Sequence, residues 1–243
     1  MLNSKRLLVA ATLSLGSFGL ATAAQAGVIV AWDAQPANTS LSSATSSTID
    51  ANLSAPVVLS LGSGFTANSY NSSTFGGYST KDTSSGLGSA ISNGTYWEFT
   101  ITPATGYQVQ IDSLVVPARY DGQGGLYVWQ GSPASTINLA SSADSYASSL
   151  GSVSPTTSGA DAAVWTLTLN APLTISSAET FRIAISENYG WKTVGLYPDS
   201  APLRNALEIN GTVTAAVPEP SSIVLLGLGS LGLCCVARGR KRG

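Results

Sequence analysis

Histidine is absent from this chain of 243 residues, which holds two cysteines and one methionine. Without imidazole there is no His-based catalytic triad, no His metal ligand and no pH switch near neutrality. Charge is scarce as well: 10 % of the residues are Asp, Glu, Lys or Arg, against about 25 % in an ordinary soluble domain. With 11 basic and 13 acidic residues, net −2, the chain lacks the basic surface that nucleic acid demands. Serine and threonine, by contrast, number 60, beside 25 glycines. The hydrophobic share of 44 % excludes global disorder.

The hydrophobic residues are concentrated at two ends and in short strands between them. Lys5 and Arg6 precede an apolar run from Leu7 to Leu20, and Ala24-Gln25-Ala26 forms an A-x-A cleavage pattern. Charge, run and cleavage site in that order spell a secretory signal peptide over 1–26, with the mature chain starting at Gly27. The competing possibility is a buried N-terminal helix, which would not require the three features in sequence.

At the other end, Val217-Pro218-Glu219-Pro220-Ser221 leads into an uncharged run from Ile223 to Ala237, closed by Arg238, Arg240, Lys241 and Arg242. Fifteen helical residues reach about 22 Å, a thin transmembrane helix once flanking serines and snorkelling arginines are added. The basic cluster favours a cytoplasmic end, so the preceding domain lies outside. Pro218 and Pro220 lack an N–H and fix φ, so this stretch neither extends a strand nor sits inside a helix. It is an exposed, extended stem. Cys234 and Cys235 fall within the apolar run, where adjacent helical positions disfavour a mutual disulfide.

This tail, residues 217–243, resembles a PEP-CTERM sorting signal: a Val-Pro-Glu-Pro motif, a glycine-containing apolar helix and a basic stop signal. The resemblance implies an exosortase as partner, a membrane protease-transferase that cuts near Pro218-Glu219-Pro220, after signal peptidase has acted at the other end. It implies a Gram-negative bacterium that makes exopolysaccharide, and a route from the inner membrane, held transiently by the C-terminal helix, to the cell surface or extracellular matrix. The alternative is a permanent tail anchor that is never cut.

The ectodomain, 27–216, contains no cysteine and so no disulfide. Its 12 acids face five cations, Lys81, Arg119, Arg182, Lys192 and Arg204, a balance of −7 that favours solubility. Strand signals recur at 28–32, 56–61, 95–102, 107–116, 126–129, 165–169, 181–185, 193–197 and 207–214. Nine alternating strands with Gly, Pro or Asn between them predict an all-β fold, an antiparallel β-sandwich of jelly-roll type. Pro103-Ala104-Thr105-Gly106 predicts a hairpin turn. Gln35 to Thr48 and Gly131 to Gly159 read as surface crossovers, the second with one short helical turn. No segment carries a sustained helical period and no repeat is evident. Gly94-Thr95-Tyr96-Trp97-Glu98-Phe99-Thr100-Ile101-Thr102-Pro103, with Gly106-Tyr107, Leu114 and Val30-Ala31-Trp32-Asp33, resembles β-sandwich ectodomains of PEP-CTERM proteins. That resemblance speaks to architecture and not to activity.

Catalytic constellations are hard to assemble here. Ser-His and Cys-His pairs are excluded by composition. A Ser-Lys pair would need Lys81 or Lys192, which lie in no matching motif. Two carboxylates suffice for glycoside hydrolysis, but Glu98, Asp112, Asp121, Glu187 and Glu208 read as solvated strand faces paired with Arg182 or Arg119. Asp121 in Asp-Gly-Gln-Gly-Gly lacks the further oxygens of a calcium loop and fits a turn. The expectation is therefore no catalysis, no cofactor and no metal. Extracellular polysaccharide is the candidate ligand. Tyr120, Asp121, Tyr189 and Trp191, flanked by loop residues, are the candidate glycan contacts, because exposed aromatics stack on sugar faces. Two functions follow: a structural or interaction protein of the exopolysaccharide matrix or biofilm, and, as the alternative, a carbohydrate-binding module without catalysis.

Overall fold

The computed structural model describes residues 26–32, 43–67, 75–79, 85–119, 126–127, 136–154, 163–186, 192–196 and 207–216. In chain order the strands are β1 (Gly27–Trp32), β2 (Ser43–Thr45), β3 (Thr48–Ile49), β4 (Val58–Leu61) and β5 (Thr66–Ala67). Then come β6 (Phe75–Ser79), helix α1 (Leu87–Ser92), β7 (Tyr96–Ile101), β8 (Tyr107–Arg119), β9 (Leu126–Tyr127) and β10 (Thr136–Ser141). A 3-10 turn at Ser142–Asp144 leads to β11 (Gly151–Val153), β12 (Ala163–Ile175), β13 (Glu179–Ser186), β14 (Lys192–Leu196) and β15 (Leu207–Ala215). The first sheet runs β12-β8-β15-β1-β3, with β9 pairing β8; the second runs β11-β10-β13-β7-β4-β2; a third, smaller sheet runs β14-β6-β5. All pairings are antiparallel except β8 with β9. The all-β expectation holds.

Strict alternation builds the second sheet. Trp97, Phe99 and Ile101 of β7 are buried while Tyr96, Glu98 and Thr100 face the other way. Phe181, Ile183 and Ile185 of β13 join the same core. In the first sheet the alternation shifts phase within β8: Val109 and Ile111 are buried, then Leu114 and Val116. The cause is a bulge. Gly211 of β15 stands opposite Ile111 and Asn210 opposite Ser113, so Asp112 is an extra residue in the ladder, and one extra residue moves every following side chain to the other face.

The two larger sheets share one core. The ring of Trp32 (first sheet) lies 5.3 Å from that of Phe99 (second sheet), and Phe99 stacks on Phe181 at 5.4 Å. The Trp32 indole N–H donates to the Val57 carbonyl at 3.0 Å, which satisfies the polar end of a fully buried ring. Burying each such aromatic contributes about 2–3 kcal/mol.

Three expectations are corrected. Pro103–Gly106 is a turn, with Tyr107 N–H donating to the Ala104 carbonyl at 3.0 Å, but not a hairpin: β7 belongs to the second sheet and β8 to the first. The chain changes sheets there. The stretch after Gly131 is not wholly a surface crossover, because β10 is an inner strand with Ile137 and Leu139 buried; the helical turn expected within it is present at Ser142–Asp144. Within Gln35 to Thr48, Ser43–Thr45 forms β2 on the edge of the second sheet. Helix α1, of six residues, is too short to show a period. Among the described residues no helix is long and apolar enough to cross a membrane; the helices expected over the signal peptide and over Ile223 to Ala237 lie outside them.

Candidate functional site

Most of the site residues expected from sequence lie outside the described residues. These are Ala24, Val217, Pro218, Glu219, Pro220, Ser221, Arg238, Arg240, Lys241 and Arg242 of the two processing signals, and Tyr120, Asp121, Tyr189 and Trp191 of the glycan surface. Ala26 and Gly27 are described. Both are exposed, and Gly27 is the first residue of β1.

The structure brings the start of β1 and the approach to the end of β15 to one end of the first sheet. Gly27 pairs with Gly211 and Val28 with Asn210. Beyond Gly211 the last strand has no partner on that side among the described residues, while Thr212 to Ala215 remain paired to Gln110 to Tyr107 of β8 on the other. The Ala216 N–H then donates to the Gly106 carbonyl at 2.8 Å. The fold therefore holds the chain up to the residue before Val217. Gly106 sits at φ +84°, a left-handed conformation that glycine adopts without penalty, and this lets the 103–106 turn present its carbonyl to the departing strand.

A second cluster lies on the face of the second sheet that points away from the core. Arg182 and Glu98 are direct cross-strand neighbours, and the Arg182 Nε donates to Glu98 Oε2 at 2.8 Å. The guanidinium is stacked between two rings, 4.1 Å from Tyr96 and 3.8 Å from Tyr146. Two aromatic faces and one carboxylate satisfy a cation of which 20 % of the side-chain surface stays exposed. One strand pair along, Thr100 and Thr180 share a hydroxyl hydrogen bond of 2.9 Å.

Tyr146 reaches Arg182 because the backbone before it is held in place. Ser145 and Tyr146 both have positive φ, 60° and 62°, a conformation that costs a non-glycine residue about 1–2 kcal/mol. Two carboxylates anchor this turn. Glu179 Oε1 accepts from the hydroxyls of Ser141 and Ser142 and from the Ala143 N–H at 2.7 Å. Burial pushes the Glu179 carboxyl up, but these donors outweigh it and hold it below the usual carboxylate range. Asp144 accepts from the Ser148 hydroxyl and from the N–H groups of Ala147 and Ser148, and its carboxyl is likewise lowered, chiefly by the Ser148 hydroxyl. Burial raises the Tyr146 phenol against the opposing pull of Arg182.

Beside this cluster a shallow cleft of about 290 Å³ opens between β4 and β7, lined by Pro56, Val58, Ser60, Glu98, Thr100 and Thr102 among others. Its walls are hydroxyls, one oriented carboxylate and an apolar rim that includes the exposed Val58. Hydroxyl and carboxylate groups of this kind can exchange hydrogen bonds with a polar ligand. Glu98 and Arg182 were visible in sequence as strand residues that pair. The contribution of Tyr146 was not, because a contact between a turn and a strand this far apart leaves no local pattern. Among the described residues no three His, Cys, Asp or Glu side chains stand together to hold a metal ion.

Residues 216–241 match the model of the PEP-CTERM protein-sorting motif. The match begins at Ala216, the residue tied to Gly106. The chain thus carries the sorting signal of an exosortase-targeted, exported protein of the Gram-negative cell surface. No curated protein and no solved structure matches the chain.

Proposed function

We propose that this protein is a non-catalytic, exported component of the cell surface or extracellular matrix, with a structural or interaction role in exopolysaccharide or biofilm. Signal peptidase removes residues 1–26. The ectodomain, a two-layer sandwich of jelly-roll type, folds outside while the apolar tail holds it at the inner membrane. An exosortase then cuts near Pro218-Glu219-Pro220. The observation that carries this reading is the position of the sorting motif: its match begins at Ala216, the residue after the last strand ends at Ala215. A cysteine-free, acidic domain suits such a destination, since its stability depends on sheet packing and not on redox state.

The test is to replace Pro218, Glu219 and Pro220 together by alanine and to follow the chain in a host that carries the sorting enzyme. The unaltered chain is expected in the medium or outer envelope without its tail, and the variant in the inner membrane with it. Equal distribution of both would refute the reading.

The cleft between β4 and β7 favours a second role for the same domain, binding of a neutral glycan. Glycan-array binding that is saturable and weakens at least tenfold in Glu98→Gln would support it. Absence of saturable binding leaves the structural role alone.

A further inference from the structure

Among the described residues, four residues of the first sheet's last strand have no neighbour on one side. β1 begins at Gly27, opposite Gly211, so nothing in β1 stands opposite Thr212, Val213, Thr214 or Ala215. Among the described residues no other backbone group pairs with them on that side. On the opposite side β8 pairs all four. Along a strand every second residue turns both its N–H and its C=O to the same side, so the bare edge offers a ready hydrogen-bonding ladder.

Edges of this kind are ordinarily blunted by lysine, proline or a covering loop. Among the described residues this one carries none of those devices. Thr212, Val213 and Thr214 are strand-forming residues, and Thr212 to Ala215 carry no charge. Thr212, Val213 and Thr214 are half-buried and Ala215 is exposed. The edge also lies next to the sorting motif. Pro220 is five residues beyond Ala215, about 17 Å at full extension. A protein that grips 218–220 is therefore within reach of 212–215. Pro218 and Pro220 themselves have no N–H to donate, so the nearest regular backbone ladder available to such a protein is the one just upstream.

We propose that the bare edge of β15, Thr212–Ala215, is the docking site of the membrane-embedded processing enzyme, which adds an extended segment of its own to this edge and so aligns the stem for cutting. The proposal rests on the exosortase reading above. It adds that the enzyme recognises folded ectodomain as well as the motif.

Four strand-forming residues, Thr-Val-Thr-Val, inserted between Ala26 and Gly27 would lengthen β1 along the register and cover Thr212–Ala215. A control insertion, Gly-Asp-Pro-Gly, adds the same length without the ability to pair. Thr214→Lys blunts the edge without changing length. Tail removal is followed by pulse-chase of the full chain in a host with the sorting enzyme, and folding by secretion and thermal melting. Expected is a slowing of tail removal by about tenfold or more for the strand-forming insertion and severalfold for Thr214→Lys, with the control cut at the unaltered rate. Equal cutting of the strand-forming insertion, Thr214→Lys and the unaltered chain overturns the proposal, as does equal slowing by both insertions. If the edge instead joins two copies of the chain, cross-linking gives dimers that the strand-forming insertion abolishes while cutting proceeds unchanged, and this too overturns it. An unaltered chain that keeps its tail refutes the exosortase reading itself.

Discussion

Gly27 stands opposite Gly211, so the start of the first strand and the approach to the sorting signal leave the first sheet side by side. A Cβ on Gly211 would run into the backbone carbonyl of Gln110. Gly211→Ala should therefore push β15 from β8 and cost about 2 kcal/mol, as overpacking does. For a domain of this size that is a fall of about 6 °C in melting temperature, measurable by circular dichroism. An unchanged melting point would mean that the strands are not packed as described.

Trp32 joins the two larger sheets through Phe99 and the Val57 carbonyl. Trp32→Ala should cost about 4 kcal/mol, enough to reduce secreted yield. Trp32→Phe keeps an aromatic ring and should lose about half as much. Equal stability of the two variants would argue against a shared core at this residue.

The Arg182 guanidinium is held by Glu98 and by two tyrosine faces. Because the pair is partly solvated, a double-mutant cycle between Arg182→Ala and Glu98→Gln should give a coupling of about 1 kcal/mol. Arg182→Lys should retain part of the ion pair but lose the planar stacking. A lysine variant as stable as the parent would show that the tyrosines contribute nothing.

Glu179 sets an acid limit on the 141–148 turn. Its folded carboxyl lies below the ordinary value of 4.5 because the hydrogen bonds it accepts prevail over burial. A depressed folded pKa means that this stabilisation is present above about pH 4.5 and is lost as pH falls through the folded value. Glu179→Gln should melt lower than the parent at pH 7, and the gap should narrow as pH falls below about 4.5. A gap that stays constant over that range would remove Glu179 as the anchor.

Strands with large alternating side chains were legible in the sequence: Trp97, Phe99 and Ile101, or Phe181, Ile183 and Ile185, define a buried face without help from neighbours. Strand β10 was not legible. Ile137 and Leu139 sit among serines and alanines, and what makes Thr136–Ser141 an inner strand is its ladder to β11 and β13, which local pattern cannot report. The Pro103–Gly106 segment shows the same limit, because turn chemistry announces a reversal and not the sheet to which the next strand belongs. Asp112 adds a third case: a bulge reads in sequence as a break in alternation and needs the partner strand to be located. The site divides in the same way. The sorting motif was legible because it is a contiguous pattern, whereas the Tyr146–Arg182–Tyr96 stack joins residues from a turn and two strands.

The most direct test of the account is the intact mass of the protein recovered from medium and envelope of a host that makes the sorting enzyme. The account predicts a chain that begins at Gly27 and ends between Val217 and Pro220, with any added mass carried on that new end. A chain that begins at Gly27 and still runs to Gly243 would contradict it.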